Sequence, residues 1–229
     1  MFKTTRPPGE TAMTVLRIDA SIQGDRSASS ALADLALAEF EAIRPDEPKV
    51  SRHLGADPLP SEAWAAATAA RFVEPEARSA AQSSALELAQ TVARELAEAD
   101  AAILALPLYN WGVSQHVKTW IDLAVAGAAP GTRLLDGTPV LLLTSRGGAY
   151  GPGTGREGWD HNTGYLRHVL AGVWGADLSV VEREMTLVGV NPALDKFTDA
   201  AAVVRREAEE AARAAGRALA VRTERHLAA

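Results

Sequence analysis

The sequence contains no cysteine. That excludes disulfide bridges, thiolate nucleophiles and cysteine-ligated metals. Positive charge is also scarce: 23 Lys and Arg stand against 29 Asp and Glu, a formal net charge of -6 at pH 7. Such a chain gains no general attraction to nucleic acid or to an anionic membrane, and neither is expected as a partner. No apolar run approaches the roughly 18 or more residues of a membrane-spanning helix. The opening residues, MFKTTRPPGETA, carry no apolar signal core, so a cytoplasmic location is expected. Their polarity and the adjacent Pro7 and Pro8 predict a disordered tail over residues 1–12. Residues 13–229 show no repeat and no linker, which predicts one domain. Several chemical signatures are missing as well. There is no Gly-x-Ser-x-Gly elbow of a hydrolase and no Gly-Lys-Ser/Thr ending of a P-loop. No His/Asp/Glu set has metal-ligand spacing, so no metal is expected.

What is present is an alternation of strands and helices. Thr14 to Asp19 (TVLRID) is a short apolar strand running into Ser21-Ile22-Gln23-Gly24. A helix follows, with Leu32, Leu35, Leu37 and Ile43 at helical spacing and Ser27 or Ser29 able to cap it. Lys49 to Leu54 reads as a weaker second strand, and Gly55 to Glu76 as a loop with a short helix. Ala77 to Glu98 reads as a strong helix. Ala101 to Leu106 and Val140 to Thr144 are wholly apolar strands, as the middle of a sheet covered on both faces requires. Val113 to Val125 and Thr163 to Trp174 read as helices, Leu178 to Met185 as the fifth strand, and Pro192 to Leu227 as a long charged helix. These elements predict a doubly wound five-stranded parallel sheet of order 2-1-3-4-5 between two helical layers. Ligands bind at the carboxyl edge of such a sheet.

Three loops follow confident strands and so share that edge. The first, Ser21 to Ser30, is rich in hydroxyls and opens a helix, whose free N–H groups and dipole suit a phosphate. Simple N-capping would also account for any one of its serines. The second, Pro107-Leu108-Tyr109-Asn110-Trp111-Gly112, offers aromatic side chains to a planar ring, or a cover for the sheet end. The third, Ser145-Arg146-Gly147-Gly148, allows close backbone approach to a ligand, or is a plain turn. Together they amount to a phosphate cradle, a flat slot and backbone donors.

The segments SIQGDRSAS (Ser21 to Ser29), PLYNWGVSQHVKTWIDL (Pro107 to Leu123) and TSRGG (Thr144 to Gly148) carry a resemblance. From about Met13 to Val190 the chain is similar to the FMN-dependent NADH-azoreductases and NAD(P)H:quinone oxidoreductases of flavodoxin-like fold. The resemblance implies noncovalent FMN, NADH or NADPH as electron donor, and two-electron reduction of a quinone, azo compound or other aromatic acceptor. It also implies a homodimer with sites near the subunit interface. By position, Ser21, Ser27, Ala28 and Ser29 resemble the phosphate-binding residues. Pro107, Leu108, Tyr109, Asn110 and Trp111 resemble the loop along the flavin ring, with Tyr109 and Asn110 positioning it. Ser145, Arg146, Gly147 and Gly148 resemble the loop at its pyrimidine edge. The short AGAAPGTRLLDGTP and the Gly-rich AYGPGTGREGWDH depart from the family, and both shape the substrate side.

Within the second of these, Gly153 to Gly158 matches a dinucleotide fingerprint only as a bare pattern, because no strand directly precedes it. A mobile loop over the flavin is the better reading, bringing Tyr150, Trp159 or His161 to the substrate. His116 and His168 fall on helices and read as ordinary histidines. Two other functions fit the same residues. One is a dedicated reductase of a single aromatic intermediate, and the other is a flavodoxin-like electron carrier or binding module without catalysis.

Overall fold

The computed structural model describes residues 14–228, so the tail expected at residues 1–12 lies outside the described residues. Five strands form one sheet in the order β2-β1-β3-β4-β5. They are β1 (Val15–Asp19), β2 (Lys49–His53), β3 (Ala101–Ala105), β4 (Pro139–Ser145) and β5 (Asp177–Arg183). Every adjacent pair is parallel. β3 and β4 are buried along their whole lengths, as their unbroken apolar sequences require. β2 is an edge strand and keeps its first three residues exposed.

Two helical layers cover the faces. α1 (Ala28–Ile43) and α6 (Thr198–Ala228) pack together on one side, over a core of Val15, Ile103, Leu141, Leu143 and Val181. Their approach is close: a Cβ on Gly216 of α6 would lie 2.1 Å from the carbonyl oxygen of Ala36, so only glycine fits there. The other face carries α2 (Ala63–Ala70), α3 (Ala80–Ala97), α4 (Gln115–Gly127) and α5 (Thr163–Arg167). Its core includes Leu104, Leu142, Trp120 and Trp174, the two indoles meeting edge to face at 5.6 Å.

Several boundaries differ from the sequence reading. α3 begins at Ala80, because Ser79 and Gln82 form a reciprocal capping box and Pro75 starts a separate 3-10 turn. α4 begins at Gln115, capped by Ser114, whose Oγ accepts from Val117 N. The segment expected as one helix from Thr163 to Trp174 is α-helical only to Arg167. It then widens into a π turn over His168–Val173, closed by Trp174 N donating to Val169 O at 2.9 Å. The wider turn ends with Trp174 in the core. The last helix starts six residues later than expected. Pro192 and the Asn191 side chain hold residues 192–197 as a 3-10 turn before it.

Candidate active site at the carboxyl edge of the sheet

The loops after β1, β3 and β4 open into one cavity of about 680 Å³. That volume is ordinary for a site taking a cofactor-sized ligand. The first loop leaves β1 at Ser21, turns through a 3-10 segment at Gly24–Arg26, and enters α1 at Ser27. Ser27 is the N-cap: its Oγ accepts from Ser30 N at 3.1 Å and its carbonyl from Ala31 N at 3.0 Å. The N–H groups of Ala28 and Ser29 are left without a protein acceptor among the described residues. They stand at the positive end of a 16-residue helix.

Beside them, the Tyr109 hydroxyl joins the first and second loops. It lies 3.1 Å from Ser21 Oγ and accepts from Ile22 N at 3.1 Å. Ser21 Oγ in turn accepts from Gln23 N at 3.2 Å. Each hydroxyl oxygen thus accepts a backbone N–H, and one hydroxyl donates to the other. One O–H proton remains over for a ligand oxygen.

The second loop closes on itself: Tyr109 N donates to Gly112 O at 3.1 Å, and Gly112 N to Tyr109 O at 2.9 Å. Asn110 (φ 46°) and Trp111 (φ 65°) both sit in the left-handed region, the geometry of a type I′ turn. Asparagine tolerates this well, but tryptophan at the position that favours glycine costs roughly 1 kcal/mol. The strained residue holds its ring half exposed at the cavity rim, edge-on to Trp159 at 6.5 Å.

The third loop differs from expectation at Arg146. Its side chain does not line the cavity but turns inward, with 8% exposure. There it meets three carboxylates: Asp160 at 2.7 Å, Glu182 at 2.8 Å and Glu184 at 3.0 Å. Burial alone would lower the pKa of this guanidinium, and the charges of Glu182 and Asp160, with the hydrogen bonds to Glu184 and Glu182, more than reverse that effect. The same cluster ties down the Gly-rich segment, because Glu184 accepts from Tyr150 N, and Asp160 from Asn162 N and Thr163 N. The space a Cβ would take at Gly147 and Gly148 is filled by protein. Leu187 would lie 2.7 Å from the first and Arg156 Nη1 2.3 Å from the second. The glycines therefore let side chains, rather than a ligand, approach on that side. Their N–H groups donate to no acceptor among the described residues.

Asp160 predicts an acid limit. Burial would raise its pKa, but the hydrogen bonds from Thr163 and Asn162 and the charge of Arg146 hold it below its ordinary value. A depressed carboxyl stabilises the fold above its unfolded pKa of about 4 and loses that contribution as pH falls through the folded value. Thermal melts from pH 6 to pH 3 should therefore fall more steeply for the wild type than for Asp160→Asn. Parallel profiles would contradict this.

Of the residues expected at the site, Ser21, Ser27, Ala28, Pro107, Leu108, Tyr109, Asn110, Trp111, Ser145, Gly147 and Gly148 line the cavity, as does Tyr150. Ser29 does not: it is wholly buried on the inner face of α1, its Oγ 3.3 Å from that of Ser27. It can reach the cavity only through its N–H. Trp159 and His161 are not lining residues either. Trp159 stands at the rim, and His161 meets the second loop through its backbone, donating to Trp111 O at 2.9 Å. Sequence reading missed Gln23, Arg26, Arg156, Arg183 and Arg205, all of which line the cavity. Arg183 was within reach, since it lies near the carboxyl end of the expected fifth strand. Arg205 was not, since only the packing of α6 brings it there.

The sequence profile of the flavodoxin-like fold family matches residues 13–220. The chain belongs to this family. Among its relatives, a protein of Frankia casuarinae named FMN-dependent NADH:quinone oxidoreductase is 37% identical over 204 residues, covering 87% of this chain and 96% of the relative. A Streptomyces avermitilis protein of the same name is 33% identical over 213 residues, covering 91% and 98%. Among solved structures, an FMN-dependent NADH-azoreductase from Bacillus anthracis in complex with FMN superposes with a TM-score of 0.67 at 19% identity, covering 87% and 97%. At that identity it supports the shared fold.

The cavity of this flavodoxin-like chain fits FMN on its own geometry. Two acceptor-free N–H groups and a spare hydroxyl proton form a cradle for a phosphate, and Leu108, Tyr109 and Trp111 border the space beside it. Among the described residues no group of acidic or histidine side chains could hold a metal ion. No helix there is long and apolar enough to cross a membrane.

Proposed function

We propose that this chain is an FMN-dependent NAD(P)H oxidoreductase that reduces quinones, azo compounds or both by two-electron transfer. The observation that carries the reading is the meeting, in one cavity, of the α1 amino terminus with the Tyr109–Ser21 hydroxyl pair. The names borne by relatives at 33–37% identity, aligned nearly end to end, support the same reading. The chemistry FMN supplies when bound is redox exchange, first with a nicotinamide donor and then with an acceptor.

The chain's own residues bind and orient. Ala28 N, Ser29 N and the hydroxyl pair would hold the phosphate, and Leu108, Tyr109 and Asn110 would set the ring's position. The unengaged N–H groups of Gly147 and Gly148 would offer donors to the negative charge of a reduced ring. No side chain is assigned as an acid or base, since the flavin carries the redox chemistry and the proton that completes acceptor reduction is available from solvent. The proposal places the protein in the cytoplasm, where a reduced nicotinamide donor is at hand.

The same proposal includes a homodimer. Trp64 and Phe72, within and just after α2, and Val125 on α4 leave large apolar side chains exposed, Phe72 by 88%. Apolar surface of this kind is usually covered in solution, and sedimentation of the purified protein measures whether it is.

The deciding experiment is the visible spectrum of the protein after an FMN soak and desalting. A retained flavin double band, bleached by NADH without oxygen, is expected, followed by steady turnover with a small quinone. A protein that stays colourless refutes the reading. Bleaching without turnover would favour an electron carrier.

A further inference from the structure

The charge of the cavity runs against that of the chain. Arg26, Arg156, Arg183 and Arg205 line it with Asp25 as the single carboxylate, in a protein of net charge -6. Two of these arginines stand together. Arg183 is the last residue of β5. Its backbone is fixed by register with Ser145 and by its carbonyl, which accepts from Arg146 N at 2.8 Å. Strand alternation puts it on the face of Val181, which packs into the α1–α6 core. Arg205 reaches the same cavity from α6.

Their partners differ. Arg205 Nε pairs with Glu209 at 2.6 Å, one helical turn on. Arg183 has no ion pair and no side-chain hydrogen bond among the described residues. It is half-buried, and burial first and Arg205 second both disfavour its charge, with Glu209 only partly offsetting them. A half-buried guanidinium facing a second cation is a costly arrangement in the protein alone, and an anion would relieve it. The cradle at the start of α1 borders the same cavity, because α1 and α6 run side by side, with Gly216 against Ala36 and Arg217 paired with Glu39.

We propose that Arg183 and Arg205 form a second oxyanion subsite, beside the serine cradle, for a carboxylate or phosphate group of the acceptor or the nicotinamide donor. The subsite rests on the reading of the cavity as a flavin and substrate site. It makes anionic acceptors, or the phosphates of the dinucleotide, determinants of specificity in a chain that would otherwise repel them.

The test compares FMN-loaded wild type with Arg183→Gln and Arg183→Lys. Acceptors are a benzoquinone bearing a carboxylate and its methyl ester, and donors are NADH and NADPH. The Gln variant should lose about tenfold in one comparison, the magnitude of a charge-assisted hydrogen bond, with partial recovery in the Lys variant. A fall in the carboxylate-to-ester ratio of kcat/KM assigns the anion to the acceptor. A fall in the NADPH-to-NADH ratio assigns it to the extra phosphate, and an equal rise in both KM values assigns it to the pyrophosphate. Unchanged ratios and KM values overturn the proposal. So does a tenfold weaker FMN affinity in the Gln variant, measured by flavin fluorescence, because the arginines would then serve the flavin phosphate. If Arg183→Gln does not fold, Arg205→Gln, altered at an exposed position, gives the same readouts. Inorganic pyrophosphate supplies a probe independent of flavin: it should raise the Tm of wild type more than that of either Gln variant. If the wild type retains no FMN, the functional reading fails by itself, and this pyrophosphate difference still decides the subsite.

Discussion

Replacing Ala28 with aspartate is expected to weaken FMN binding about a hundredfold, since a like charge at a binding contact costs several kcal/mol. Ala28 is the first residue of α1, lines the cavity, and carries one of the two N–H groups without a protein acceptor. A carboxylate there would occupy the space intended for the phosphate and repel it. The fold should not suffer, because an acidic residue in the first turn interacts favourably with the helix dipole. Affinity and stability therefore move in different directions, which separates a binding effect from a folding defect. Fluorescence titration with FMN, alongside a thermal melt of the apoprotein, measures both. An unchanged dissociation constant would mean that the phosphate lies elsewhere, and the cradle at Ser21, Ser27 and Ala28 would have to be abandoned.

The second large effect is on stability. Arg146→Met should destabilise the protein by about 3–5 kcal/mol, the usual consequence of removing one partner from a buried ion pair. The methionine can fill much of the volume, but Asp160 and Glu184, both largely buried, would lose their cation. Glu182 is more exposed, at 36%, and should contribute least. Arg146→Lys should recover only part of the loss, since a single ammonium cannot match the planar guanidinium that now spans three carboxylates. Urea denaturation of the apoprotein gives the comparison, and a change under 1 kcal/mol would show that the cluster is dispensable. The substitution should also free the Gly-rich segment, because the carboxylates paired with Arg146 hold Tyr150 N, Asn162 N and Thr163 N.

These two residues show where sequence reading succeeds and where it stops. Ala28 is legible because its surroundings are local. A strand, a hydroxyl-rich turn and a capped helix follow one another within some fifteen residues, and their hydrogen bonds are determined by that order. β3 and β4 are legible for a different reason: a strand buried on both faces must be apolar throughout, so AAILA and PVLLLTS announce their place. Once the strands are assigned, the parallel topology alone puts the loops after β1, β3 and β4 on one edge.

Arg146 is not legible in this way. In the sequence it is a basic residue before two glycines, suited to an exposed turn. Only the register of β4 with β5, which pairs Ser145 with Arg183, sets Glu182 and Glu184 beside it, and only the return of the following loop adds Asp160. The inward turn of Ser29 likewise depends on which face α1 buries, and the π turn before Trp174 accompanies its packing against Trp120. The meeting of Arg183 with Arg205 is decided the same way, between residues twenty-two positions apart in the chain. The sequence by itself determined which segments are strands, the edge their loops share and the capped start of α1, because each follows from neighbouring residues and chain direction. The tertiary structure decided which side chains face that cavity and which are spent inside the protein, because partners distant in sequence meet only when the sheet and its helical layers come together.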